Sequence, residues 1–159
     1  MKRDALGPDG PDEAGPEEFL SASEEETLAW AEGFAQRLKA GDVVALSGDL
    51  GAGKTVVARG VARGLGFTGD VHSPSYALVH EYPGEPSLFH MDLYRLAPGA
   101  DWQEIGLDHY FEGNGVCLVE WPERLPPEYR FAYRVELRVE GETERRIRVL
   151  PGVSQESGS

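Results

Sequence analysis

Residues 47–60 read SGDLGAGKTVVARG, directly after the apolar run DVVAL at 42–46. Gly48 to Thr55 fits the pattern GxxxxGK[ST], a loop whose backbone wraps phosphate groups. The glycines are required because the main chain must fold closely round the phosphates with its N–H groups turned inward. In such a loop Lys54 brings charge to the β- and γ-phosphates, and the Thr55 hydroxyl is placed for Mg²⁺. The match falls between a predicted strand at 42–47 and a predicted helix from 54 to about 65, ended by Gly64 and Gly66. Only Lys2, Lys39 and Lys54 are lysines, so one of three falls in this slot. A bound triphosphate is expected. Whether its phosphate is transferred, hydrolysed or used as a switch is not written in the loop.

The flanking pattern predicts an α/β fold. Ser23-Glu24-Glu25-Glu26 is a capping box, and Thr27, Ala31, Phe34, Ala35 and Leu38 recur at helical spacing up to a stop at Gly41. Residues 76–82 and 87–92 read as strands around Pro83-Gly84-Glu85-Pro86, and 115–121 as a strongly apolar strand. Residues 102–111 carry helical periodicity through Trp102, Ile105 and Tyr110, interrupted by Gly106. Alternating strands at 133–139 and 145–150 flank Glu140-Gly141-Glu142, a second hairpin signal. Strand, glycine loop, helix and further strands define a small three-layer P-loop NTPase fold with the ligand at the carboxyl ends of the strands. Two hairpins make its central sheet mixed. The expected organisation is a disordered acidic tail at 1–18, one P-loop domain at 19–150 and a frayed tail at 151–159.

Charge narrows the partners. The chain of 159 residues has a formal net charge of −13. From Met1 to Glu26 nine acidic residues face Lys2 and Arg3, a net −7 in about a sixth of the chain. Such a chain repels nucleic acid, so no direct tight binding of RNA or DNA is expected. Cys117, the single cysteine, lies in the apolar run GVCLVEW and reads as an inert buried thiol in a reducing compartment. No signal-peptide core or membrane-length apolar stretch is present, which predicts a cytoplasmic location without membrane association.

Triphosphate chemistry needs an acid at the end of an apolar strand, to hold the metal or its waters. LFHMD ends in Asp92 and VCLVE ends in Glu120. Asp92, the shorter side chain, suits metal coordination; Glu120 suits orienting the attacking water. Which of them touches the metal directly stays open. In VHSPSYALV at 71–79, Ser73 and Ser75 flank Pro74 ahead of a strand, where a switch segment offers hydroxyls to Mg²⁺ and the γ-phosphate. His72 and His90 could contact phosphate or the metal shell, although a packed or hydrogen-bonded role is the commoner one for a histidine. Arg95 could meet phosphate or a partner carboxylate, or equally form a surface salt bridge.

GDLGAGKT (48–55), VHSPSY (71–76), HMDLYR (90–95) and VEWPERL (119–125), in this order and spacing, resemble the TsaE family, formerly YjeE. The resemblance spans about residues 19 to 125. It implies a P-loop ATPase using ATP and Mg²⁺, weak alone, that acts with TsaD and TsaB in threonylcarbamoyl modification of adenosine in ANN-decoding tRNAs. By that resemblance Asp49, Leu50, Gly51, Ala52, Gly53, Lys54, Thr55 and Val56 surround the nucleotide, with Trp121 beside it or at a partner surface. Lys54, Asp92 and Glu120 become the catalytic set, Glu120 as the Walker-B-like acid, and Thr55, Asp92 and Glu120 the metal set. SPSY stands where relatives often read SPTF, which keeps a hydroxyl at Ser75. Val56 stands where they often carry a second threonine, so a side-chain contact to the α-phosphate is lost there.

Two other readings share the P-loop. A small-molecule or nucleoside kinase would need an acceptor pocket and commonly an arginine-rich lid, whereas the arginines here are scattered, densest at Arg145, Arg146 and Arg148. An assembly module would hold ATP as a structural or switching ligand, with incidental hydrolysis. A guanine-reading NKxD motif is missing from the sequence.

Overall fold

A computed structural model of the chain describes residues 17–49, 51–68, 79–95, 107–125 and 130–152. In chain order these form β1 (Glu17–Ser21), α1 (Glu24–Ala35), β2 (Val43–Gly48), α2 (Lys54–Gly64), β3 (Val79–Tyr82) and β4 (Leu88–Asp92). After them come α3 (Leu107–Phe111), β5 (Val116–Glu120), β6 (Tyr133–Val139) and β7 (Arg145–Pro151). Short 3-10 turns at Leu93–Arg95 and Pro122–Arg124 follow β4 and β5.

The seven strands form one mixed sheet in the order β1-β7-β6-β2-β5-β4-β3. β6, β2, β5 and β4 run parallel at its centre; β3 and β7 flank them antiparallel, and β1 pairs antiparallel with β7 at the outer edge. Both predicted hairpins are present, β3–β4 and β6–β7, and they make the sheet mixed. Alternation along β2 sends Val44 and Leu46 to one face and Val43 and Ala45 to the other. The first pair packs with Phe34, Val57, Val61 and Leu118 under α1 and α2. The second packs with Met91, Val119, Phe111, Leu125 and Phe131 on the opposite face. Burial on both sides explains why the strand before the glycine loop is apolar throughout.

Ser23 caps α1: its Oγ accepts from the Glu26 N–H at 3.1 Å, and Glu26 Oε1 accepts from the Ala22 N–H at 2.8 Å. The helix ends at Ala35, short of the predicted Gly41. The chain there tightens into i→i−3 bonds from Gln36, Arg37 and Leu38, which tucks Leu38 into the core. α1 and α2 approach closely because α2 carries Gly60, where a Cβ would stand 2.6 Å from that of Ala31. This contact fixes the helix that the glycine loop feeds.

β1 is an element the sequence pattern does not announce. It takes in Glu17 and Glu18, which the sequence reading assigns to the acidic tail. Glu18 pairs with Arg146 and Arg148 of β7 at 3.0 and 3.3 Å, and Glu17 with Arg37 at 2.9 Å. Acidic residues that read as solvated thus serve as charge partners of an arginine-rich strand. The far boundary shifts as well: Pro151, expected in the C-terminal tail, is the last residue of β7. Of the helix expected at 102–111, only Leu107–Phe111 lies within the described residues. Among those residues no helix is long and apolar enough to cross a membrane.

Candidate functional site

β2 ends at Gly48 and α2 begins at Lys54, so the glycine loop crosses the carboxyl end of the sheet. Gly51 and Gly53 take φ values of +83° and +107°, a region that disfavours any residue with a Cβ. Gly48 is small for another reason: a Cβ there would meet Leu137 of the neighbouring β6 at 3.1 Å. Ala52 is fully buried beneath the loop, and its N–H donates to Asp49 O at 2.9 Å.

An open cleft of about 1150 Å³ lies over the loop. Asp49, Gly51, Gly53, Lys54 and Thr55 line one side; His90, Asp92, Glu120 and Trp121 line the other. Register explains the meeting: Asp92 of β4 stands opposite Glu120 of β5, and Glu120 opposite Leu46 of β2. Two strand-end carboxylates and the loop are therefore neighbours through three parallel strands.

Within the cleft Lys54 Nζ donates to Gly48 O at 2.6 Å and sits 3.7 Å from Glu120 Oε1. The other carboxylate oxygen, Oε2, is 2.6 Å from His90 Nε2. Glu120 is only 7% exposed and His90 8%. A buried carboxylate needs such partners, since desolvation without them is costly. Asp92, by contrast, is exposed, and its Oδ1 accepts the Tyr94 N–H at 3.1 Å, closing a turn. His90, for which the sequence leaves both a phosphate or metal-shell contact and a packed, hydrogen-bonded role, is the hydrogen-bond partner of Glu120.

Trp121 follows Glu120 with φ +62°, the left-handed region, unusual for a bulky side chain. It is 37% exposed and its ring lies 4.9 Å from that of Tyr94, itself 56% exposed, while the Arg124 guanidinium sits 5.9 Å from the indole. The two aromatics form an apolar rim to the cleft.

A second, smaller cleft of about 320 Å³ lies behind the loop, between the start of α1 and the β6–β7 hairpin. Ser23, Thr27, Val56, Thr143 and Arg145 line it, and it shares Gly51 and Gly53 with the first. Val56 therefore faces this cleft and not the one that holds Lys54 and Thr55. Of the remaining expected residues, Leu50, Ser73, Ser75 and His72 lie outside the described residues, as do the side-chain surroundings of Arg95.

Among the described residues no three His, Cys, Asp or Glu side chains gather into a metal cage. Oxygen donors among the residues that line the cleft include the Thr55 hydroxyl and the carboxylates of Asp49, Asp92 and Glu120. That set fits Mg²⁺, which is held by few protein oxygens together with phosphate and water. Cys117 is away from this chemistry: burial pushes its thiol up to about 12, so it stays protonated and inert.

A parallel strand, a glycine loop capping a helix and paired acids on adjacent strand ends define the class, a P-loop α/β domain. A family profile described as "Threonylcarbamoyl adenosine biosynthesis protein TsaE" matches residues 21–148, and the chain belongs to that family. It is 44% identical to the Bacillus subtilis tRNA threonylcarbamoyladenosine biosynthesis protein TsaE over 134 residues, 81% of this chain and 82% of that one. The Treponema pallidum protein of the same name is 39% identical over 131 residues, 82% of this chain and 97% of its own. The crystal structure of Bacillus subtilis YdiB superposes with a TM-score of 0.69 at 37% identity, covering 89% of this chain and 88% of that one.

Proposed function

We propose that this protein is the ATP-binding and hydrolysing subunit for threonylcarbamoyl modification of adenosine in ANN-decoding tRNAs, acting with TsaD and TsaB. One observation carries the reading: Lys54 of the glycine loop and the strand-end acid Glu120 face each other at 3.7 Å across one cleft, with Asp92 beside them. The triphosphate enters that cleft, and Lys54 leaves Gly48 O and Glu120 for the phosphates. Thr55 and Asp92, with Glu120, would hold Mg²⁺, which when bound neutralises charge on the β- and γ-phosphates. Glu120, set by His90, orients the attacking water. The smaller cleft takes the base, between Thr27 of α1 and Thr143 of the hairpin.

Residues 17–151, from β1 to the end of β7, act as one ATPase domain, and we take the cytoplasm as its location. A net charge of −13 suits a protein whose partner holds the tRNA. The exposed Tyr94–Trp121 pair at the mouth of the cleft suits a partner that covers the bound nucleotide. Reconstitution tests the reading. Phosphate release by the pure protein should be slow, should rise on adding TsaD and TsaB, and modified tRNA should accumulate over many turnovers only with this chain present. A phosphorylated small molecule in place of free phosphate would make it a kinase. Sustained modification by a Glu120→Gln variant would make it an ATP-bound assembly module.

A further inference from the structure

Arg145 opens β7 at the β6–β7 hairpin, 94 residues along the chain from Gly51, yet it is bonded to the glycine loop. Its Nε donates to Ala52 O and its Nη2 to Gly51 O, both at 3.2 Å. Nη1 donates to Glu144 O, Gly141 O and Glu142 O at 2.9, 3.1 and 3.4 Å, which ties the same guanidinium to its own hairpin. All of these acceptors are main-chain carbonyls. The next arginines on the strand behave differently: Arg146 pairs with Glu18 and Glu140, and Arg148 with Glu18 and Glu136. Among the described residues no carboxylate pairs with Arg145. Its fixed planar fork matches two successive carbonyls, which a lysine ammonium cannot do.

We propose that Arg145 is a positioning residue that holds the glycine loop in its phosphate-ready shape before any ligand arrives; this rests on the nucleotide-site reading above. In a trans peptide the C=O and N–H point in opposite directions. Drawing the Ala52 carbonyl toward the hairpin turns the Gly53 N–H the other way, toward the cleft that Gly53 and Lys54 line. A loop with glycines at 48, 51 and 53 has much conformational freedom to lose when it closes on phosphate. Two charge-assisted bonds from outside the loop remove part of that freedom in advance, and preorganisation of this kind appears as affinity. The clamp acts on the phosphate end of the ligand whether or not a base is attached.

That last property gives the test. Binding of Mg²⁺–ATP and of Mg²⁺–tripolyphosphate, which has no base or ribose, is measured by calorimetry at fixed ionic strength for wild type, Arg145→Ala and Arg145→Lys. Arg145→Ala should weaken both ligands about tenfold, equivalent to about 1.4 kcal/mol. In the same variant KM rises, and kcat at saturating ATP stays within about twofold. Arg145→Lys, which keeps charge and stem but not the fork, should recover only part of the loss; it also carries the comparison should the alanine variant not fold. Weakened ATP with unchanged tripolyphosphate would show that Arg145 serves the nucleoside and overturn the clamp. So would unchanged binding of both, or full recovery by lysine, which would reduce the residue to its charge. Failure of the wild type to bind either ligand would sink the nucleotide site itself, and the clamp with it.

Discussion

Asp92 and Glu120 are register partners at the carboxyl ends of β4 and β5, yet they stand in opposite environments. Glu120 is buried, with His90 on one oxygen and Lys54 near the other. Asp92 is exposed and, among the described residues, engages only through Oδ1, with the Tyr94 N–H. The same residue pair thus offers one carboxylate fixed in place and one with lone pairs open to the cleft. A fixed group suits orientation of a water; an open one suits a cation that arrives with its own waters and phosphate.

That difference predicts distinct variants. Glu120→Gln keeps size and a hydrogen-bonding oxygen but loses the charge, so ATP should still bind while turnover falls by about a hundredfold or more. Asp92→Ala should abolish the dependence of hydrolysis on Mg²⁺ and leave only a residual rate. Phosphate release across a Mg²⁺ titration separates the two, and a wild-type profile for Asp92→Ala would remove it from the site.

Lys54 is held by Gly48 O and Glu120 within the cleft, a place from which its ammonium would meet phosphate. Lys54→Ala should weaken ATP at least a hundredfold, or about 2.7 kcal/mol. Calorimetry reads this directly. Unchanged affinity would show that the glycine loop does not bind the triphosphate.

The residues that were legible in the sequence are those whose pattern is local. GDLGAGKT between an apolar strand and a helix fixes the loop, and the ends of two apolar runs mark Asp92 and Glu120, since parallel strands place their carboxyl ends together. β1 was not legible: five residues, EEFLS, become a strand only by pairing with β7, and Glu18 meets an arginine 128 positions away. Arg145 was invisible for a similar reason. Its partners are carbonyls, which every residue carries, so no side-chain type betrays the contact. The length of α1 was overestimated because Leu38 fits helical spacing and is buried, although it reaches the core from a 3-10 turn.

Cys117 shows how burial decides reactivity. Its thiol, pushed up to about 12 by desolvation, stays neutral in the folded protein at any ordinary pH. A thiol-specific reagent at pH 8 should therefore leave the native protein untouched and label one site after denaturation. The sign for stability follows from the same shift. The unfolded thiol ionises above its ordinary value and the folded one does not, so this contribution is present at neutral pH and fades as the pH climbs toward 12. Rapid labelling of the native protein would contradict the burial.

Trp121 carries the clearest backbone strain in the site. A φ of +62° is tolerated by glycine and resisted by every residue with a Cβ, at about 1 kcal/mol or more. The tryptophan is held there beside Tyr94 and Arg124, with its ring on the rim of the cleft. Two truncations separate backbone from ring. Trp121→Ala and Trp121→Gly both remove the indole, but only glycine relieves the backbone, so the glycine variant should be the more stable by about 1 kcal/mol in urea unfolding. Both should lose partner-stimulated ATP turnover to the same extent, because the exposed ring, and not the strain, is what a partner can touch. If alanine proved as stable as glycine, the positive φ would not be a feature of the native site. If either variant kept full stimulation, the aromatic rim would have no part in partner coupling.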